Sequence, residues 1–111
     1  MLMGLIVVFG LAALVGMYLL AHVLIDKNTP KGGAILHGGF AILGIILLSL
    51  TTYSYPSLIY SFILFILAAL GGIIIFSLDI LGKKIPKFLA LGHGLLAVSG
   101  FIVLIWGIIH L

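Results

Sequence analysis

The chain has 111 residues, 65% of them hydrophobic and 6% charged, which allows one domain and excludes an ordinary water-soluble composition. With no cysteine, disulfides, thiolate chemistry and iron–sulfur ligation are excluded. The net charge of +3 comes from lysines confined to two short stretches, so it speaks to membrane orientation and not to nucleic acid.

In chain order, residues 2–25 form the first apolar run, and about 20 such residues cross a hydrocarbon core as a helix. The run has no basic leader and no small-residue cleavage site, and it is longer than a signal-peptide core, so it is expected to stay in the mature protein. Asp26-Lys27-Asn28-Thr29-Pro30-Lys31 is a polar turn whose proline cannot continue the helix. A second helix is expected over 33–52, an uncharged loop with Pro56 returns the chain, and a third helix is expected over 58–81. Gly82-Lys83-Lys84-Ile85-Pro86-Lys87 then leads into a fourth, over 88–110. The expectation is an all-α integral membrane four-helix bundle forming a single transmembrane domain, 1–111. All the lysines fall in the first and third loops, so the positive-inside bias places those loops in the cytoplasm and both termini outside an inner or plasma membrane. Tyr53, Tyr55, Tyr60 and Trp106 fall near the outer boundary, where interfacial aromatics belong, and Tyr18 falls deeper.

The two halves resemble each other. Lys31 to Gly44 and Lys87 to Gly100 both fit Lys-x5-His-Gly-x2-Ala-x2-Gly, and a gapless shift of 56 positions superimposes them. The same shift lays Phe9, Ala12 and Gly16 on Phe65, Ala68 and Gly72, and Lys27 and Pro30 on Lys83 and Pro86. This predicts a tandem two-helix repeat, residues 1–55 and 57–111, with copies in the same orientation about a pseudo-twofold axis along the membrane normal. Helices 2 and 4 then lie diagonally, as do helices 1 and 3. Ala12 with Gly16 and Ala68 with Gly72 read as small-residue helix packing.

The duplication brings His37 and His93 to one depth. On helix 2, His37, Ala41 and Gly44 share a face, and on helix 4 His93, Ala97 and Gly100 do. Facing inward, two imidazoles above small residues would ligate one iron with a flat macrocycle filling the slot below, and Lys31 and Lys87 would pair with its propionates. Haem b is the expected cofactor; the plain alternative is that the histidines are polar glue between helices. His22 and Asp79 break the symmetry, lying opposite Leu78 and Val23. They are candidates for proton handling beside a quinone, or for joining His37 and His93 in a Zn or Fe ion site, or for simple snorkelling at the interface. His110, next to the C-terminal residue, is expected in solvent. No nucleophile–histidine–carboxylate arrangement or phosphate-binding glycine loop appears, which argues against classical hydrolysis and nucleotide chemistry.

In layout, His37 and His93 with their neighbours Gly38 and Gly94 make the chain resemble the small membrane b-type cytochromes, the cytochrome b561-like four-helix bundles. The resemblance is architectural and spans the whole chain. It implies histidines on different helices ligating haem, and electron transfer; this chain supplies histidines for one haem. The length also resembles the small multidrug-resistance transporters, but those depend on an acidic residue inside the first helix, and here that helix is apolar from Leu2 to Ala21. The leading expectation is a b-type cytochrome passing electrons to or from quinone. The alternative is a metal-ion or proton transporter built on His22, His37, His93 and Asp79. A homo-oligomer, or a subunit of a larger membrane complex, is the third.

Overall fold

A computed structural model describes all of residues 1–111. Four helices, α1 (Leu2–Leu24), α2 (Lys31–Thr51), α3 (Ile59–Ile80) and α4 (Lys87–Ile109), run through the molecule, and a single 3-10 turn (Pro56–Leu58) precedes α3. There are no strands. Each helix is long and apolar enough to cross a membrane, and the bundle's 42 Å long axis matches a bilayer with its headgroup layers. Only 16 of 111 residues are buried, and the outer surface is mostly Leu, Ile, Val and Phe. An apolar surface of that extent is incompatible with water and suits contact with lipid.

The helix ends follow from local chemistry. α2 and α4 begin two residues and one residue earlier than their apolar patterns indicate, because Pro30 and Pro86 are in extended conformation and act as N-caps. A proline there has no N–H to leave unsatisfied and its φ is already set. Lys31 and Lys87 therefore sit in the first helical turn, where their charge opposes the helix dipole. At the other end of each hairpin's first helix, Asp26 (φ 57) and Gly82 (φ 71) adopt left-handed backbone. This lets the Lys27 N–H reach the His22 carbonyl at 2.9 Å and the Lys83 N–H reach the Leu78 carbonyl at 2.9 Å. These bonds, with Asp26 N–H on Val23 O and Gly82 N–H on Asp79 O, are paired Schellman caps that satisfy carbonyls otherwise left orphaned. Glycine enters left-handed space without steric cost, whereas Asp26 is one of the few non-glycine types that tolerates it.

Packing is closest within the α1–α2 and α3–α4 hairpins, next between α1 and α4, and sparsest between α2 and α3. The backbones of α1 and α3 do not come within 8 Å of one another, nor do those of α2 and α4, so these are the diagonal pairs. The main core lies toward the α2–α3 loop and consists of Leu5, Phe9, Leu48, Leu58, Phe65 and Leu104. A second, smaller cluster of Val23, Ile85 and Ala90 closes the lysine-bearing end. The histidines lie between these two layers.

Candidate functional site

His37 and His93 approach across the bundle, their ring centroids 6.0 Å apart and their planes at 85°. Each ring is fixed by the first helix of its own hairpin. His37 Nδ1–H donates to the Ala12 carbonyl at 2.8 Å, and His93 Nδ1–H donates to the Ala68 carbonyl at 2.7 Å. A carbonyl can only accept, so in both rings the proton sits on Nδ1 and the lone pair of the neutral ring sits on Nε2. Neither Nε2 has a hydrogen-bond partner, and neither is a sealed, unsatisfied atom.

Glycine makes room for each ring. A Cβ built on Gly16 would come within 2.9 Å of His37 Cε1, and one on Gly72 within 3.1 Å of His93 Cε1. The pairs Ala12–Gly16 and Ala68–Gly72 are thus receptor sites for the imidazoles, in addition to packing helices closely. The sequence carried a signal for this: Ala12, Gly16 and His37 all recur in the second half under the 56-residue shift.

The strip of small residues below the histidines is not an open slot at Gly44 and Gly100. Phe9 and Phe65 lie there, stacked with centroids 3.8 Å apart and planes 3° from parallel. A Cβ on Gly44 would meet the Phe9 ring at 2.8 Å, and one on Gly100 would meet Phe65 at 3.2 Å. Ala41 and Ala97 are half-buried on the same faces.

The lysines expected near a cofactor's propionates have partners of their own. Lys31 Nζ lies 2.5 Å from Asp79 Oδ1, and the Thr29 hydroxyl donates to Asp79 Oδ2 at 2.7 Å. Lys87 Nζ lies 3.2 Å from Asp26 Oδ2, with Lys84 at 3.5 Å from Oδ1. Lys87 and Lys84 hold the Asp26 carboxyl below its ordinary value, Lys87 making the larger contribution. The two clamps cross between hairpins, α2 to α3 and α4 to α1, so each first-turn lysine meets a carboxylate at another helix's C-terminal end. Two placements that are unfavourable singly compensate each other.

His22 and Asp79 do not join the histidine pair. The His22 ring donates to the Tyr18 carbonyl of its own helix at 2.8 Å and meets the Tyr18 ring edge-on, while Asp79 is held by Lys31 and Thr29. No three histidine or aspartate side chains gather into a set that would hold a metal ion. The joint site of His22, His37, His93 and Asp79 is therefore not assembled, because the lysine clamp draws Asp79 toward the loop and Tyr18 holds His22. His110 is exposed, donates to the Trp106 carbonyl and stacks on the indole at 4.0 Å.

The donor set can be compared with haem on this geometry. Two imidazoles on one iron, with bonds of roughly 2 Å and the ring radii added, have centroids about 6 Å apart. The 6.0 Å separation is of that size and equally that of two rings in edge contact; neither Nε2 has a hydrogen-bond partner, and a backbone carbonyl on the opposite ring nitrogen is a usual outer partner of a metal-bound histidine. The space does not match: Phe9 and Phe65 fill the strip in which a macrocycle was expected. Fold and site together define a bundle of four helices, each apolar enough to span a membrane, with one histidine pair between its two core layers. No family model, curated protein or solved structure matches the chain.

Proposed function

We propose that the chain is a membrane-embedded b-type cytochrome in which His37 and His93 would hold one haem and which passes electrons, with quinone as a membrane-soluble partner. The observation that carries this reading is the 6.0 Å approach of two imidazoles, each with Nδ1–H committed to a backbone carbonyl. Donor count supports it as well. A bare Zn or Fe ion takes four or more ligands, whereas a porphyrin supplies four of its own and asks the protein for only two. A haem held there would supply one-electron chemistry; the chain's part is to hold both rings in one tautomer. The tandem repeat with its pseudo-twofold axis belongs to this proposal, as does the placement of the lysine loops in the cytoplasm and both termini outside.

The test is the visible spectrum of the purified protein. Sharp reduced alpha and beta bands are expected, lost in both His37→Ala and His93→Ala; low-spin haem retained in both variants would remove the assignment.

The packed phenyl rings favour a second reading. With Phe9 and Phe65 filling the strip, the histidine pair would act without a macrocycle, as a proton or metal-ion relay in a small transporter. A colourless protein that binds zinc stoichiometrically, or moves protons in vesicles only when both histidines are present, would select it.

A further inference from the structure

Of the five lysines, Lys31 is taken by Asp79, and Lys84 and Lys87 share Asp26. Lys27 and Lys83 make no ion pair or side-chain hydrogen bond, and the chain has no further carboxylate side chain to offer them. They occupy corresponding places, each directly after a left-handed residue, with its backbone fixed by the cap bond to His22 or Leu78. Both line a single cleft of about 670 Å³ between the α1–α2 and α3–α4 loops, together with Lys31, Lys84, Asn28 and Thr29. Its aspartates, Asp26 and Asp79, are already bonded to lysine, so the cleft carries a net positive charge with two uncommitted ammonium groups. That charge is set at one end of an apolar bundle, at the depth where lipid headgroups lie if the four helices span the bilayer.

We propose that this cleft binds one phosphate group, that of an anionic phospholipid, between Lys27 and Lys83. Basic pockets between spanning helices at a membrane face are suited to such headgroups, and each lysine near the surface contributes about 1 kcal/mol of attraction. The proposal rests on the spanning reading but not on what the histidines do.

Native mass spectrometry of the full chain from micelles of mixed phosphatidylglycerol and phosphatidylcholine tests it. One phosphatidylglycerol per chain is expected to be retained preferentially, with affinity falling roughly fivefold for Lys27→Gln or Lys83→Gln and roughly thirtyfold for the double variant. Neither side chain makes an ion pair or hydrogen bond, and the helical circular dichroism is expected to be unchanged. Added salt should weaken retention. A parallel arm follows the 31P signal of inorganic phosphate: if phosphate alone binds with the same lysine dependence and displaces the lipid, the site is one for free anion and the lipid assignment falls. Equal retention of the two lipids, or a double variant that holds phosphatidylglycerol as the original chain does, would overturn the proposal.

Discussion

The two hairpins do the same thing with different margins. In each, a histidine on the second helix reaches the carbonyl of an alanine 25 residues earlier and lies against a glycine one turn along. The α1–α2 hairpin is the tighter one, since a Cβ on Gly16 would sit 2.9 Å from its imidazole and one on Gly72 would sit 3.1 Å away. The clamps differ more. Asp79 has a side chain only 12% exposed and has both Lys31 and Thr29, whereas Asp26 is 54% exposed and shares two lysines. The comparison teaches that the imidazole seats are held constant while the surroundings vary, as expected if the seats carry the function and the clamps carry stability.

The largest effect is expected where the hairpins meet. Phe9→Ala or Phe65→Ala removes half of the stacked pair at the centre of the main core and should cost about 3–5 kcal/mol in reversible unfolding. Near-equal losses would sharpen the likeness of the two hairpins; a loss confined to one would break it. Next, Gly16→Ala is expected to cost about 1–3 kcal/mol because a methyl group must push the His37 ring from its seat. Gly72→Ala should cost less, the order following the two clearances. The same measurement would contradict this account of the seats if the order were reversed.

The clamps come third. Asp79→Asn should destabilise by about 1 kcal/mol, since it weakens a charge-assisted bond whose carboxylate is largely shielded although its lysine is half exposed. Asp26→Asn should do less, because water screens its partners. The smallest effect is a pH dependence. Asp26 has its carboxyl lowered from 3.8 by Lys87 and Lys84, so the stability it contributes is present above that value and is lost as pH falls through the lower, folded value. Unfolding midpoints measured from pH 5 down to pH 2 should show this loss in the original chain and not in Asp26→Asn.

Much of the architecture was legible because length and hydropathy suffice for four spans, and Pro30, Pro56 and Pro86 mark the turns. The histidine pair was legible through the internal shift, which singles out His37 and His93 without any appeal to which face is buried. Hidden from the sequence was what fills the strip beside the two histidines. Lipid and core are equally apolar, so periodicity does not show that Phe9 and Phe65 point inward and take the space beside Gly44 and Gly100. The lysine clamps were hidden for a different reason. Lys31 meets Asp79 and Lys87 meets Asp26, 48 and 61 residues apart, between hairpins rather than within them. The same clamp explains why His22 and Asp79, offered together by the sequence as a proton-handling pair, have separate partners. Ala12 and Gly16 read as packing residues because nothing local shows that a distant histidine will use their backbone.

The central claim is that His37 and His93 form one centre. Titration of the purified chain with haem, followed by absorption, tests it most directly. The account predicts saturation at one equivalent with a low-spin spectrum, and loss of that spectrum in His37→Ala and His93→Ala alike. Failure to form a low-spin species, or saturation that survives removal of either histidine, would contradict it.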